Sequence, residues 1–577
     1  MTSTTKQRAA DALVQAMQHT GVTTLFSLSG NQIMPIYDAC IDNPVRILHT
    51  RHESAAVFMA DAYAQLTGTV GVALVTAAPG FANALGALYS AHMAESPVIL
   101  LCGDSPIGAG SKQAFQKFPQ SEAVRPFVKS TIRVESAEEL CDCWFRSVEI
   151  ATSGVAGPVH IALPADVLNT EITSKSLTGS ASTSKQVHES QGSENDLAVD
   201  IRITKSLAQQ YQQIKHATSP IIITGPLLNN TRSHQLDRLQ NELQAPVIAM
   251  ESPRGLNDPS LGACKTICRE SDLVVLLGKS PDFTLAFANA DVFPKSEFIL
   301  IDADEYNLQH ASENMTINIS STLALDPRVW ITQMLDSNTV VSDIVTSERS
   351  KWINRVETQI GRMPKVTHAK DGEALHPSEI ASAVSEKIES IAVLQKNEKN
   401  SVPDSHLTDI VTVCDGGEFG QWVQAFLRRS PRVINGTSGA IGGSIPYTVG
   451  ASVARPKDVV LTMLGDGTAG FYMAELETLV REKIPAIVVI GNDTCWNAEY
   501  QIQLRDYGEN RTLACEFPTT VQYDQVAAAL GMHSANVSTL SDLQQSLDVA
   551  FDRAMTERRG TLINVIMQRE AAPVINT

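Results

Sequence analysis

The sequence lacks the marks of a secreted or membrane-embedded protein. No apolar run reaches the length of about 18 residues that a membrane-spanning helix needs, and the opening MTSTTKQRAADALVQAMQ has no signal-peptide core. The nine cysteines are scattered, and neither Cys141/Cys143 nor Cys264/Cys268 has the four-ligand pattern of a zinc site. We therefore expect a cytoplasmic protein with reduced thiols and no membrane partner.

Positive charge is also scarce. The 45 Lys and Arg residues face 63 Asp and Glu residues, which gives a net charge of −18. An acidic surface repels phosphate backbones, so we expect no nucleic-acid partner. The 577 residues, 43% apolar and 19% charged, are typical of a globular chain, and at about 100–200 residues per domain they predict three domains.

Three α/β blocks follow one another along the chain. Short apolar strands alternate with helical segments in each block, and this alternation predicts parallel sheets covered by helices on both faces. The predicted fold class is therefore α/β, with three doubly wound parallel-sheet domains of which the first and third share an architecture. The predicted boundaries are domains 1–171, 199–345 and 376–577, with polar linkers at 172–198 and 346–375.

Each block has its own predicted elements. Strands are predicted at 23–30, 70–80, 97–103, 219–225, 245–250, 272–278, 297–304, 409–417, 458–467, 485–493 and 560–567. Helices are predicted at 53–68, 376–391 and about 469–481, and 395–406 is predicted to be an exposed loop.

One polar motif stands at the end of a predicted strand. Gly465, Asp466 and Gly467 directly follow VVLTML, which places a carboxylate at the carboxyl edge of a parallel sheet, where ligands bind in such folds. The glycines would let the backbone approach a diphosphate, and the following helix would point its amino terminus at that anion. Alone, Gly-Asp-Gly is equally typical of an ordinary strand-to-helix turn.

A second polar strand end accompanies the first. Asn492 and Asp493 come 26 and 27 residues after Asp466, at the end of the next predicted strand. Oxygen ligands at adjacent strand ends suit Mg²⁺, which is often held by one or two carboxylates together with phosphates. The backbone carbonyl of Cys495 could add a further ligand.

Together these motifs resemble the thiamine-diphosphate-binding fingerprint. Nearly the whole chain is similar to the acetolactate (acetohydroxyacid) synthase-like branch of that family, through RHESAAVFMADAYAQLTG, TAAPGFANALGAL, SPVILLCGD and SGAIGGSIPYTVGASVA. The resemblance implies thiamine diphosphate and Mg²⁺ as cofactors. It also implies coenzyme-binding roles for Glu53, Pro79, Asn83, Ser438, Gly439, Ile441, Gly465, Asp466, Gly467, Thr468, Asp493 and Trp496.

The resemblance also assigns roles near the reacting atoms. Glu53 matches the family's catalytic glutamate, which hydrogen-bonds the coenzyme pyrimidine and promotes loss of the thiazolium proton. Gly30 lies near the reacting centre, Phe115 and Gln116 match an active-site Phe-Gln pair, and Ile441 matches the aliphatic residue that bends the coenzyme. Without the resemblance, Glu53 could be an acid favoured by the dipole at a helix start.

The sequence departs from the family pattern at several points. Typical synthases have Asn-Asn where this chain has Asn492-Asp493, so we expect Asp493 and the Cys495 carbonyl as metal ligands, with Asn492 as the alternate. The segment that holds FAD in acetolactate synthases is not recognisable around 255–272, so no FAD is expected. The residues after the metal motif differ too, and are expected to line the substrate pocket: Trp496, Asn497, Glu499 and Gln503.

These patterns leave three functions open. The first is a 2-oxo acid decarboxylase and carboligase, which would join the acyl group to an aldehyde or a second oxo acid to form an acyloin or acetohydroxy acid. The second is a 2-hydroxyacyl-CoA lyase, although no Lys/Arg cluster stands out in the middle domain to hold a nucleotide. The third is a catalytically inactive regulatory homologue. The resemblance implies a homodimer or homotetramer with active sites at the subunit interface.

Overall fold

The structure, a computed structural model, describes residues 6–109, 113–173, 194–228, 233–314, 317–336, 347–401, 409–428 and 431–575. Each of the three predicted blocks contains one parallel sheet, which confirms the predicted α/β fold class. The contacts divide the chain into two compact units. The first contains 1–250 and 269–354, and the second contains 251–268 and 355–577. No helix in the described part of the chain is long and apolar enough to cross a membrane.

The first unit begins with a six-stranded sheet. In chain order its block comprises β1 (Lys6–Arg8), α1 (Ala9–His19), β2 (Thr24–Ser27), α2 (Met34–Asp42), β3 (Arg46–His49), α3 (Glu53–Thr67), β4 (Gly71–Val75), α4 (Pro79–Met93), β5 (Val98–Asp104), α5 (Gln120–Val124), β6 (Ser130–Arg133), α6 (Leu140–Thr152), β7 (Val159–Pro164), α7 (Ala165–Asn169) and β8 (Glu171–Thr173). The strand order is β3-β2-β4-β5-β7-β6, with parallel neighbours throughout. The short strands β1 and β8 pair separately and antiparallel.

Helix α3 begins at the carboxyl edge of this sheet. The helix is apolar on nearly every side, since 11 of its 15 residues are buried, as expected of a helix enclosed by its own domain. It begins at Glu53, where the His52 side chain accepts a hydrogen bond from the backbone N–H of Ser54. It ends at Gly68, whose φ of +68° is the left-handed conformation that closes many helices. Its first residue is therefore fixed at the edge of the sheet.

A five-stranded sheet completes the first unit, and residues 264–268 and 355–360 of two helices in its block belong to the second unit. Its block comprises α8 (Glu194–His216), β9 (Pro220–Thr224), α9 (Ser233–Leu243), β10 (Val247–Ala249), α10 (Cys264–Glu270), β11 (Leu273–Leu277), β12 (Glu297–Asp302), α11 (Glu305–Asn314), β13 (Asn318–Ala324), α12 (Pro327–Asp336) and α13 (Ser347–Ile360). The strand order is β10-β9-β11-β12-β13, again parallel.

The second unit contains the third sheet. Its block comprises α14 (Pro377–Ser401), β14 (Ile410–Cys414), α15 (Gly417–Phe426), β15 (Arg432–Ile434), α16 (Ser444–Ala454), β16 (Val459–Gly465), α17 (Asp466–Ala469), α18 (Glu475–Arg481), β17 (Ala486–Asn492), α19 (Asn497–Tyr507), α20 (Tyr523–Ala529), β18 (His533–Val537), α21 (Leu540–Asp552) and β19 (Thr561–Ile566). The parallel strands follow the order β15-β14-β16-β17-β19-β18. By position in their blocks, the strands of the first and third sheets have the same order, so the shared architecture is confirmed.

All three predicted linker and loop segments contain helical residues, since residues 194–198 of the first linker begin α8. The predicted linker 346–375 contains α13, whose Trp352 and Val356 are buried at helical spacing. Helix α14 continues to Ser401 because Glu, Lys and Gln favour a helix up to that point, so a loop beginning at 395 is wrong. Residues 402–406 of that loop and 174–193 of the first linker lie outside the described residues.

The helix predicted at 469–481 is interrupted. Helix α17 ends at Ala469 and α18 begins at Glu475. Gly470 has low helix propensity, and the following Phe471 closes a tight turn through a hydrogen bond from its N–H to the carbonyl of Thr468. The Phe471 ring then lies against Gly442, where a Cβ would come within 2.5 Å of it. Packing of this ring therefore accompanies the break in the helix.

Candidate active site

Asp466 and Asp493 form a buried carboxylate pair at the carboxyl edge of the third sheet. Asp466 is the first residue of α17 and Asp493 follows β17, and they are 2% and 8% exposed. Burial raises the pKa of both carboxyl groups, and the Asp466 charge raises the pKa of Asp493 further. Backbone N–H groups of Gly467 and Cys495 donate to Asp466 and oppose part of this rise in its pKa. The pair is therefore poised for a cation that would let both groups ionise.

The side-chain amide of Asn492 forms hydrogen bonds with three neighbouring residues of the fold. Its Nδ2 donates to the carbonyl of Val521 and to Oδ1 of Asn564, both at 3.1 Å. Its Oδ1 accepts a 3.3 Å hydrogen bond from the backbone N–H of Thr494. The residue is 1% exposed. Of the two candidates for the side-chain metal ligand, Asp493 is therefore the better placed, because its carboxyl group lies beside that of Asp466.

A cavity of about 360 Å³ opens beside this pair. Ser438 and Asn492 do not line it. Gln503 does not line it either, so its predicted place in the pocket is wrong; its amide donates to the carbonyl of Leu513 at 3.2 Å. The other predicted residues of the second unit line the cavity: Gly439, Ile441, Gly465, Asp466, Gly467, Thr468, Asp493, Cys495, Trp496, Asn497 and Glu499.

Asp415 organises the loop that carries Ile441, and sequence reasoning missed it. This carboxylate is 1% exposed and accepts hydrogen bonds from the N–H groups of Gly416, Gly442 and Ser444. A Cβ on Gly416 would come within 2.9 Å of the Ile441 side chain, so this position needs a glycine. The signal was present in the sequence as Asp-Gly-Gly at the end of a predicted strand.

Two glycines of the Gly-Asp-Gly motif have different surroundings. A Cβ on Gly465 would meet nothing within 4 Å, so its face is open to the cavity. A Cβ on Gly467 would come within 2.8 Å of the Trp496 ring. Gly465 therefore leaves room for a ligand, whereas Gly467 lets α17 and Trp496 pack together.

The first unit carries Glu53 at the carboxyl edge of its own sheet. Asn83 Nδ2 donates to Oε2 of Glu53 at 3.0 Å. A Cβ on Gly80 would lie 3.4 Å from Oε1 of Glu53, and Pro79 begins α4 directly before it. The structure thus brings together three predicted coenzyme residues of this unit: Glu53, Pro79 and Asn83.

Gly30 and Gln116 lie at the same edge, joined by two residues that sequence reasoning missed. Gln32 Nε2 donates to Gln116 Oε1 at 2.6 Å, and Thr76 Oγ1 donates to Gln32 Oε1 at 2.5 Å. A Cβ on Gly30 would come within 2.3 Å of Thr76, so this position needs a glycine. Phe115 is 75% exposed. No spacing in the sequence signals a contact between Gln32 and Gln116, which are 84 residues apart.

The residues present fit thiamine diphosphate and a divalent cation. In the described part of the chain no group of three His, Cys, Asp or Glu side chains could hold a metal. A cation at Asp466 and Asp493 would therefore need other oxygens, and Mg²⁺ commonly takes these from phosphates and water. Asn435, which also lines the cavity, has a buried Oδ1 with no partner among the described residues. The cavity thus combines two carboxylates, an unused polar atom and an open glycine face.

Comparison with known proteins agrees with this geometry. Residues 7–123 match the family described as thiamine pyrophosphate enzyme, N-terminal TPP binding domain, and residues 415–565 match the corresponding C-terminal TPP binding domain. The 2-hydroxyacyl-CoA lyase 2 of Bos taurus is 30% identical over 89% of this chain and 82% of its own length. The chain belongs to the thiamine pyrophosphate enzyme family. Its cofactor is therefore thiamine diphosphate.

Family members with different names resemble this chain to similar degrees. The 2-hydroxyacyl-CoA lyase 2 of Xenopus laevis is 28% identical over 93% of this chain and 86% of the relative. The acetolactate synthase large subunit of Mycobacterium tuberculosis is 26% identical over 94% of this chain and 93% of the relative. Identity alone does not separate the two activities, so the substrate has to be argued from the site.

Proposed function

We propose that this thiamine diphosphate enzyme decarboxylates a 2-oxo acid and ligates the acyl group to an aldehyde or a second oxo acid. The product would be an acyloin or an acetohydroxy acid. One observation carries the proposal: the Asp466–Asp493 pair lines a cavity that also contains the open face of Gly465 and the side chain of Ile441. When bound there, thiamine diphosphate supplies the nucleophilic carbon that attacks the carbonyl group.

The chain's own residues would bind and orient the reactants. Asp466, Asp493 and the carbonyl of Cys495 would hold Mg²⁺, and Gly465 would leave space for the diphosphate. Ile441 would support the bend between the coenzyme rings. Glu53, oriented by Asn83, would hold a proton at the pyrimidine N1′. Such a charge-assisted hydrogen bond is stronger in a site that excludes water.

We further propose that each coenzyme is shared by two chains, with Glu53 from one subunit and Asp466 from its partner. The smallest active unit would then be a homodimer, and a tetramer would contain two such dimers. The resemblance that supports this arrangement covers both the glutamate segment and the Gly-Asp-Gly motif. Most homo-oligomers are symmetric, so each dimer would have two equivalent sites.

The proposal is tested by product analysis. The protein is incubated with thiamine diphosphate, Mg²⁺ and a panel of 2-oxo acids, with and without aldehydes, and products are identified by mass spectrometry. We expect CO₂ release and a new carbon–carbon bond, and neither with the Glu53→Gln variant. If every 2-oxo acid is left unchanged while a 2-hydroxyacyl-CoA is cleaved, the proposed direction of the reaction is wrong. If neither class reacts, the inactive homologue is the correct account.

A second cavity favours the lyase as the alternative function. It measures about 280 Å³, and Arg254 and Gln421 line both this cavity and that of Asp466. Lys265 also lines it, and its Nζ donates to Oδ1 of Asn257 at 2.6 Å. Sequence reasoning found no basic cluster because Arg254 and Lys265 are separated in the chain. Two cationic side chains beside the reaction cavity suit an anionic substrate tail such as the phosphates of coenzyme A.

The Lys265→Met variant distinguishes the lyase from the carboligase. If the lyase account is correct, this substitution raises KM for a 2-hydroxyacyl-CoA about tenfold, since one charge-assisted contact is lost. The KM for a small 2-oxo acid would stay unchanged. Equal KM values for the thioester in the wild type and the variant would remove the support that the second cavity gives to the lyase.

A further inference from the structure

We propose that Thr76 and Gln32 set the hydrogen-bonding polarity of Gln116, so that Gln116 presents its NH₂ group to the substrate. The inference rests on the proposed function, because the resemblance to acetolactate synthases places Gln116 in an active-site Phe-Gln pair. Thr76 and Gln32 are positioning residues, since they act through Gln116. The chemical group recognised is a substrate oxygen that accepts hydrogen bonds, as in the carbonyl or carboxylate of a 2-oxo acid.

The three side chains come from three neighbouring strand ends. Gln32 lies in a short 3₁₀ helix after β2, Thr76 directly follows β4, and Gln116 lies in the segment after β5. Strands β2, β4 and β5 are adjacent in the sheet, so their carboxyl ends meet at one edge. A Cβ on Gly80 would lie 2.8 Å from Thr76 and 3.4 Å from Glu53. The chain of hydrogen bonds therefore runs beside Glu53.

Close packing fixes Gln32, the middle residue of the three. Gln32 is 7% exposed, and a Cβ on Gly103 would come within 2.7 Å of its Cβ. Gly103 and Gly30 thus let Gln32 and Thr76 approach each other. At the other end Gln116 has a φ of +56°, a conformation that residues other than glycine seldom adopt. Its side-chain hydrogen bond to Gln32 fixes the segment at this unusual position.

The direction of the hydrogen bonds is the one that the structure gives: the Thr76 hydroxyl, which can donate or accept, here donates to Gln32. An amide side chain has one accepting oxygen and one donating nitrogen. Thr76 donates to the oxygen of Gln32, so the Gln32 nitrogen faces Gln116 and occupies its oxygen. The Nε2 of Gln116 donates to no residue of the described ranges, and the side chain is half-buried. A donor is therefore left for the substrate, and donors to a developing oxyanion are among the strongest aids to catalysis.

Four substitutions separate this polarity from a structural role. Thr76→Ser keeps the donating hydroxyl, whereas Thr76→Val keeps the shape and removes the hydroxyl without changing charge. Gln32→Leu removes the link, so the Gln116 amide can rotate between both orientations. Gln32→Glu offers only acceptors, so it draws the NH₂ of Gln116 toward itself and leaves an oxygen facing the substrate.

The experiment measures kcat/KM of the holoenzyme with a 2-oxo acid, and the Kd of an acylphosphonate, a 2-oxo acid mimic that does not decarboxylate. We expect Thr76→Ser to stay within about twofold of the wild type, and Thr76→Val and Gln32→Leu to lose about tenfold in both quantities. We expect Gln32→Glu to lose about a hundredfold, comparable to the loss of an oxyanion donor. The Kd of thiamine diphosphate should be unchanged in all four variants.

Two results would overturn the inference. Equal values for Thr76→Val and Thr76→Ser would show that the hydroxyl does not set the amide. A Gln32→Glu variant no weaker than Gln32→Leu would show that polarity has no effect. Acylphosphonate binding needs no turnover, so a wild type that binds it but leaves every 2-oxo acid unchanged would overturn the proposed function alone. A wild type that does not bind it would overturn the inference as well.

Discussion

Asn83 donates a 3.0 Å hydrogen bond to the carboxylate of Glu53, the first residue of helix α3. Both residues lie at the carboxyl edge of the first sheet, and a Cβ on Gly80 would come within 3.4 Å of the same carboxylate. The hydrogen bond from Asn83 therefore orients the Glu53 carboxylate, and the lack of a side chain on Gly80 leaves space beside it. The proposed contact between Glu53 and the ring of the coenzyme needs such a space.

Glu53→Gln is expected to reduce kcat by about 10²–10⁴-fold, the range typical of a lost acid–base group. The amide keeps the size of the side chain and can still accept from Asn83, so the melting temperature should stay unchanged. Steady-state kinetics and thermal unfolding check both expectations. Full activity in this variant would refute the assigned role of Glu53.

Asp493→Ala and Asn492→Ala should impair different properties: the first should weaken Mg²⁺ binding, and the second should lower stability. Loss of the Asp493 carboxylate is expected to weaken Mg²⁺ binding about a hundredfold, or roughly 3 kcal/mol, as measured by calorimetry with thiamine diphosphate present. Asn492→Ala instead leaves the Val521 carbonyl and Asn564 without their donor, which should lower the free energy of unfolding by about 1–3 kcal/mol. The reverse pattern would make Asn492 the metal ligand.

Two neighbouring glycines give a matched pair of variants. Gly465→Ala places a methyl group where nothing lies within 4 Å, so stability should be retained while thiamine diphosphate binds more weakly. Gly467→Ala drives a Cβ to 2.8 Å from Trp496, and such overpacking typically costs about 1–3 kcal/mol of stability. Coenzyme titration and urea unfolding distinguish the two. Undiminished coenzyme affinity in Gly465→Ala would contradict the proposed diphosphate position.

Glu95 makes stability depend on pH. Burial raises its pKa from 4.5 to about 7, while the hydrogen bond from the N–H of Leu227 opposes the rise. Asp302, Asp282 and Lys279 contribute smaller effects on this pKa. Because the folded-state pKa is the higher one, the folded protein keeps the proton longer, and stability falls as pH rises from 4.5 through about 7.

Glu95→Gln should remove this dependence. The amide can still accept from Leu227 and never ionises, so the variant should match the wild type at about pH 4.5 and exceed its free energy of unfolding by about 3 kcal/mol at about pH 8. Urea unfolding of both proteins at these two pH values is the measurement. A stability difference that does not change with pH would contradict the account.

Apolar runs predicted eleven of the strands in the described part of the chain, and missed β1, β3, β6, β7, β8, β13, β15 and β18. Segments such as VVLTML and AIVVIGN are buried on both faces of a parallel sheet, so they read as short continuous apolar runs. The Gly-Asp-Gly motif at the end of one such run located the carboxylate pair for the same reason. The break at Gly470 was not predictable from periodicity, because it accompanies the packing of Phe471 on Gly442, a residue from a distant part of the sequence.

Contacts between distant residues were the other feature that the sequence did not reveal. Gln32, Thr76 and Gln116 carry no shared spacing, and only the order of β2, β4 and β5 in the sheet brings them together. The Asp-Gly-Gly strand end marked Asp415 in the sequence, but its hydrogen bonds from the N–H groups of Gly442 and Ser444 are contacts that spacing does not reveal. A single sequence shows which residues end a strand, but not which strand ends are neighbours.

Mixing two inactive variants tests the shared coenzyme most directly. Chains with Glu53→Gln and chains with Asp466→Asn are combined, unfolded and refolded together, and assayed with thiamine diphosphate and Mg²⁺. If Glu53 and Asp466 of one site come from different subunits, mixed dimers regain one intact site, and random pairing restores about a quarter of wild-type activity. If both residues of a site belong to the same chain, the mixture stays as inactive as its components.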